Sequence, residues 1–171
     1  LEERDGLVCG ICNGFQALIK LGLVPFGRIM DTDWRCPTLT FNTIGRHQSR
    51  VVRTRVASNM SPWLRKTRVG EVYSVPISHG EGRFLAEEEL IRKLAANGQI
   101  ATQYVDLEGV PSSELRFNPN GSVLAIEGIT SPDGRVLGKM GHSERVGAGL
   151  YKNVPGNYDN GMFRGAVDYF G

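Results

Sequence analysis

The stretch Leu7-Val8-Cys9-Gly10-Ile11-Cys12-Asn13-Gly14-Phe15-Gln16-Ala17-Leu18 leaves a chain few ways to fold. A short apolar run ends at Gly10-Ile11-Cys12-Asn13-Gly14, and Phe15, Leu18, Ile19 and Gly22 then fall on one helical face. A strand that becomes a helix across one or two residues is a nucleophile elbow, a turn that holds its central side chain strained and exposed. Glycines on both sides of that residue leave room for strand and helix to approach. The spacing therefore makes Cys12 the candidate nucleophile and the fold α/β.

The remaining pattern extends this reading. Gly22 and Pro25 stop the first helix. Strands are expected over Pro37 to Asn42, Val51 to Ala57, Glu71 to Ile77 and Ile100 to Asp106. Ser78-His79-Gly80-Glu81-Gly82-Arg83-Phe84 carries two glycines in three residues and is expected to be a loop. A helix from Ala86 to Asn97 buries Leu90, Ile91, Leu94 and Ala95, and Asn97-Gly98 ends it. Leu124 to Ile129 and Val136 to Met140 flank Ser131-Pro132-Asp133-Gly134, so they form a hairpin that delivers the chain to Gly141-His142-Ser143-Glu144-Arg145. A closing helix is expected with Asp159 as N-cap and with Phe163, Ala166, Val167 and Phe170 on its buried face.

A length of 171 residues fits one domain able to bury a core. A net charge of +2 makes no whole-chain case for nucleic acid. One stretch is basic: between Asp33 and Glu71 there is no acidic residue and there are eight Lys and Arg, from Arg35 to Arg68. No recognition motif or stacking pattern accompanies that charge, so a solvated face or a docking surface for an acidic neighbour is favoured over nucleic acid. No apolar run is long enough for a membrane span and no secretory signal pattern is present, so no membrane partner is expected. Three cysteines, an odd number, suit a reducing compartment, so a cytoplasmic location is expected.

A thiol nucleophile needs a base, and the base needs an orienting partner. The histidines are His47, His79 and His142. His142 has Glu144 two residues on, a spacing that lets the carboxylate hold one imidazole nitrogen while the other serves the sulfur. His79, between a strand and a glycine-rich loop, is the alternative base, and His47 reads as surface. Cys9-Gly10-Ile11-Cys12 is also a Cys-x-x-Cys. Strand side chains at i and i+3 point to opposite faces, which opposes a shared metal or a disulfide. No metal site is expected, and Cys9 and Cys36 read as structural.

Gly10 to Gln16, Ser78 to Phe84, and Gly128-Ile129-Thr130-Ser131-Pro132-Asp133-Gly134-Arg135 through Arg145 together resemble the class I glutamine amidotransferase domain of phosphoribosylformylglycinamidine synthase. Asn153-Val154-Pro155-Gly156-Asn157-Tyr158 is similar to the C-terminal tail of the single-chain form of that enzyme. The resemblance runs from Asp5 to Phe170 with its motifs in order. It implies a flavodoxin-like three-layer sandwich with a mostly parallel central sheet. It also implies that residues 1–171 are a partial glutaminase domain lacking its first strands and the loop that supplies a second oxyanion donor, so the chain alone is expected to be nearly inactive.

By the same resemblance, Cys12, His142 and Glu144 are the catalytic triad and the Asn13 backbone N–H is an oxyanion donor. Gln16 and the segment Ser78, His79, Gly80 and Glu81 hold substrate L-glutamine. The chemistry implied is glutamine hydrolysis through a cysteine thioester. The ammonia passes to a synthetase domain, on the same or another chain, that converts formylglycinamide ribonucleotide with ATP and Mg. No cofactor is expected in this chain, which has no Gly-x-x-x-x-Gly-Lys loop. Two other classes stay open at this point: a non-catalytic docking domain, and another elbow-cysteine hydrolase such as a peptidase or deglycase.

Overall fold

A computed structural model describes every residue of the chain except Glu2. The elements in order are β1 (Val8–Ile11), α1 (Asn13–Leu21), α2 (Leu23–Phe26), β2 (Thr38–Phe41), β3 (Gln48–Val56), β4 (Val72–His79), β5 (Glu81–Leu85), α3 (Glu88–Ala96), β6 (Ile100–Tyr104), β7 (Ile126–Thr130), β8 (Val136–Lys139) and α4 (Met162–Phe170). Short 3₁₀ turns at Pro62–Leu64 and Val123–Ala125 complete the set.

Six strands form one sheet in the order β1-β8-β7-β6-β3-β4, and β2 pairs with β5 in a separate antiparallel ribbon. The expectation of a mostly parallel sheet is corrected here. Among the described residues only β1 and β8 run parallel, while the β8–β7, β7–β6, β6–β3 and β3–β4 pairs are antiparallel. For β7 and β8 the tight Ser131–Gly134 connection decides this, because strands joined by so short a turn must reverse direction. Gly134 takes the left-handed conformation that turn requires, at φ 75°.

Layers lie on both faces of the sheet. On one, Phe15, Leu18 and Ile19 of α1 and Leu94 of α3 pack with Ile126, Ile129 and Val136, joined by Leu39 and Phe84 from the ribbon. On the other, Met162 of α4 and Leu64 meet Ala101 and Leu137, with Cys9 beside them. An α/β molecule with cover on both faces is therefore observed. Among the described residues, no helix is long and apolar enough to cross a membrane.

Two local expectations change. Residues 81–85 are strand β5 rather than loop, and neither Gly80 nor Gly82 needs a positive φ. Gly82 is small because a Cβ there would lie 2.4 Å from the His79 ring. In α4 the N-cap is Gly161, and Asp159 instead accepts the Gly161 N–H at 2.8 Å. The buried stripe of that helix is Met162, Gly165 and Ala166, leaving Val167 and Phe170 largely exposed.

Candidate active site

The site is made where β1 and β8 end. Ile11 is the register partner of Lys139 in the parallel ladder. Parallel neighbours finish at the same sheet edge, so Cys12, one residue past β1, and His142, three past β8, emerge together. The Cys12 N–H continues the ladder, donating to the Lys139 carbonyl at 2.8 Å.

Cys12 sits at φ 55°, ψ −107°, a strained conformation for a residue with a Cβ. The elbow expected from the spacing is therefore present. Gly10 allows it, since a Cβ there would lie 2.5 Å from Leu18 Cδ1 and 2.6 Å from the Gly14 backbone. Gly14 has no such role, because a Cβ on it would meet nothing within 4 Å.

Cys12 is also the N-terminal flank of α1, and the Asn13 backbone N–H points at its sulfur. Burial pushes the thiol above its ordinary pKa, while the Asn13 N–H and the Arg145 guanidinium favour the thiolate and Glu144 opposes it. The thiol is thus held protonated at rest, with Sγ donating to the Ser78 carbonyl at 3.6 Å.

His142 is 8% exposed, and its Nδ1 lies 2.6 Å from Glu144 Oε1. That contact fixes the ring and makes Nδ1 the protonated nitrogen of the neutral tautomer. Nε2 is buried with no hydrogen-bond partner, so it is free to take a proton. The His142 backbone N–H donates to the Pro76 carbonyl at 2.8 Å, which pins the turn to the outer edge of β4.

The remaining candidates divide. Gln16 donates from Nε2 to the Glu81 carbonyl at 2.7 Å, fastening the 78–81 segment to the elbow helix. Of that segment, Ser78 borders Cys12 through its carbonyl, Glu81 meets Gln16, and the Gly80 carbonyl accepts the Asn42 N–H at 2.9 Å. The His79 side chain turns inward: it is 4% exposed, neither ring nitrogen has a partner, and burial lowers its pKa to about 4. A ring so placed lacks the carboxylate partner that His142 has in Glu144. Cys9 lies on the opposite face from Cys12, where burial pushes its thiol up to about 12.

Three contributors carried no signal in the spacing of the motifs. His47, expected to be simple surface, places Nε2 3.1 Å from Ser78 Oγ. Arg145 lies 3.7 Å from Glu144 and adds positive charge near Cys12. Glu127 and Lys139 pair at 3.1 Å under the His142 turn, both almost wholly buried. Opposite charges inside two apolar runs predicted to form a hairpin were a usable clue to that pair. A cavity of about 680 Å³ lies elsewhere, between the outer face of β3–β4 and residues 154–157, and no triad residue lines it.

Residues 1–170 match the family model for a CobB/CobQ-like glutamine amidotransferase domain. Over 168 residues the chain is 37% identical to phosphoribosylformylglycinamidine synthase subunit PurQ of Synechococcus elongatus, covering 97% of this chain and 64% of that protein. It is 39% identical over 160 residues to the subunit of the same name from Aquifex aeolicus, covering 94% and 63%. In the structure of PurLQS from Thermotoga maritima, one chain superposes with a TM-score of 0.73 at 27% identity, covering 99% of this chain and 65% of that one. The chain thus spans a little under two thirds of the length of these relatives.

Proposed function

This chain belongs to the CobB/CobQ-like glutamine amidotransferase family, and we propose that it is the glutaminase part of a phosphoribosylformylglycinamidine synthase. One observation carries the reading: a strained cysteine at a helix N-terminus shares a sheet edge with a histidine held by a glutamate.

The mechanism begins with the Cys12 side chain leaving the Ser78 carbonyl and passing its proton to His142 Nε2. The thiolate attacks the side-chain carboxamide carbon of L-glutamine. Negative charge on the carboxamide oxygen is met by the Asn13 N–H at the first turn of α1. The imidazolium, stabilised by Glu144, protonates the departing nitrogen, so ammonia leaves and a γ-glutamyl thioester remains. His142 then takes a proton from water, the resulting hydroxide displaces sulfur, and glutamate and the Cys12 thiol are released.

Gln16 and the 78–81 main chain are the proposed cradle for the glutamine α-amino and carboxylate groups; His79 takes part only through its backbone. The names of the relatives support a partner within a phosphoribosylformylglycinamidine synthase; its use of the ammonia with ATP and Mg to convert formylglycinamide ribonucleotide to the amidine is part of the proposal. The free thiols of Cys9, Cys12 and Cys36 support a reducing, cytoplasmic setting.

The test is glutamate release from glutamine by the full-length enzyme. Cys12→Ala is expected to abolish it and His142→Ala to lower kcat at least about 100-fold. A glutamine-analogue affinity reagent should label Cys12, and glutamine should protect it. Labelling indifferent to glutamine, or turnover that survives Cys12→Ala, overturns the assignment.

A further inference from the structure

Beneath the active site lies an ion pair that the triad chemistry does not use. Glu127 is 0% exposed and Lys139 is 1% exposed. Burying two charges together seldom stabilises a fold more than an apolar pair of the same size would. The partners of this pair are therefore informative. Thr102 donates its hydroxyl to Glu127 Oε2. Every other hydrogen bond of the two side chains goes to the turn that carries His142. Glu127 Oε1 accepts the Gly141 N–H, and Lys139 Nζ donates to the Gly141 carbonyl at 2.9 Å and to Ser143 Oγ at 3.0 Å. Both chain neighbours of His142 are held, with the pair between them.

Lys139 also reaches the nucleophile through its main chain, and Glu127 holds the strand end before His142 in the same way. The Lys139 carbonyl accepts the Cys12 N–H at 2.8 Å, and the Glu127 carbonyl accepts the Met140 N–H at 3.1 Å. Lys139 is thus joined both to the elbow and to the turn bearing the proposed base. Hydrogen bonds with an ionised partner are roughly twice as strong as neutral ones, and a dry interior strengthens them further. The remaining backbone and amide holds on the turn are between neutral groups: the Ser143 N–H donates to the Gly141 carbonyl at 3.1 Å, the Arg145 N–H to the His142 carbonyl at 3.1 Å, the His142 N–H to the Pro76 carbonyl at 2.8 Å and Asn160 Nδ2 to Ser143 Oγ at 3.4 Å.

We infer that Glu127 and Lys139 are positioning residues of the reaction, a buried charge clamp that sets the His142 imidazole relative to Cys12. The clamp rests on the reading of Cys12 and His142 as nucleophile and base. Its loss misplaces the proton acceptor while leaving Gln16 and the 78–81 cradle in place. A misplacement near 1 Å is enough to cost about 100-fold in rate.

The test uses the full-length enzyme carrying Glu127→Gln with Lys139→Met, a double change that leaves no unpaired buried charge. The expected result is a kcat for glutamine hydrolysis lowered about 100-fold with KM within about twofold. The pH midpoint for alkylation of Cys12 by iodoacetamide should move as well, because the imidazole no longer accepts its proton. Ser143→Ala removes one Lys139 acceptor with little risk to folding, and roughly a tenfold loss in kcat is expected. If the double variant does not fold, Ser143→Ala decides. A folded variant with wild-type kcat and alkylation profile, or one in which only KM rises, overturns the clamp. If wild-type enzyme fails to hydrolyse glutamine, or Cys12→Ala still does, the glutaminase reading has failed instead.

Discussion

Two histidines of the same chain show how position sets chemistry. His142 has a carboxylate on one nitrogen and an open second nitrogen, whereas His79 has neither partner nor solvent. Burial holds His79 neutral and drops its pKa from the ordinary 6.5 to about 4. The sign for stability follows. Above pH 6.5 the ring is neutral folded or unfolded and contributes nothing to the pH dependence. Between pH 6.5 and 4 the unfolded chain takes a proton that the folded chain refuses, so stability falls with falling pH. The full loss is about 3 kcal/mol. Urea unfolding at pH 7 and pH 4.5 is expected to show a smaller difference for His79→Gln than for the wild type. An unchanged difference would mean that other groups carry the acid limb.

At the scale of elements, the elbow depends on one glycine rather than two. The spacing of Gly10 and Gly14 around Cys12 predicts that both make room, but only Gly10 faces the helix. Its missing Cβ leaves space for Leu18 and for the Gly14 backbone, and backbone cannot swing aside. Gly10→Ala should therefore lift α1 off β1, costing about 1–3 kcal/mol and most of the activity. Gly14→Ala should be neutral or should stabilise by roughly 0.5–1 kcal/mol, since alanine favours the helix and nothing crowds it. Chemical denaturation of the two variants side by side checks the contrast.

The closing helix makes a related point. Periodicity predicts Phe163, Ala166, Val167 and Phe170 as its buried stripe, whereas Met162, Gly165 and Ala166 are the residues that face inward. Gly165 rotates the stripe because it rests on the Pro62 and Trp63 carbonyls, which a Cβ would approach to 2.9 and 3.0 Å. Phe163 is left to meet Trp63 edge-on, with ring centroids 6.3 Å apart.

Across the whole molecule, the proposed site is gathered from distant parts of the chain by the sheet. Cys12 and His142 are 130 residues apart and follow neighbouring strands that end at the same sheet edge, because β1 lies parallel to β8. The hairpin that makes β7 antiparallel to β8 brings Glu127 under the same turn. The opposite face is closed by α4 on the Pro62–Leu64 turn, and Asn160, just before α4, reaches Ser143 Oγ at 3.4 Å. Gly165→Ala should loosen that cover: amide hydrogen exchange over residues 162–170 is expected to rise at least about tenfold, while β1 and α1 stay protected. Equal loss of protection everywhere would show that α4 does not open as its own unit.

The sequence by itself determined what local spacing can specify: an elbow at Cys12, a carboxylate two residues from His142, and a hairpin at Pro132-Asp133-Gly134. Each depends on neighbours a few bonds away, so each is legible from the order of residues. Strand direction, the inward turn of His79, the rotated stripe of α4 and the Glu127–Lys139 clamp were decided only in three dimensions. They depend on which distant backbone or charge occupies the facing position, and residue order alone does not carry that. Even Cys12 follows this division. Its candidacy as nucleophile could be read along the chain, but its strained backbone, its raised pKa and its place at the sheet edge beside β8 come from the tertiary structure.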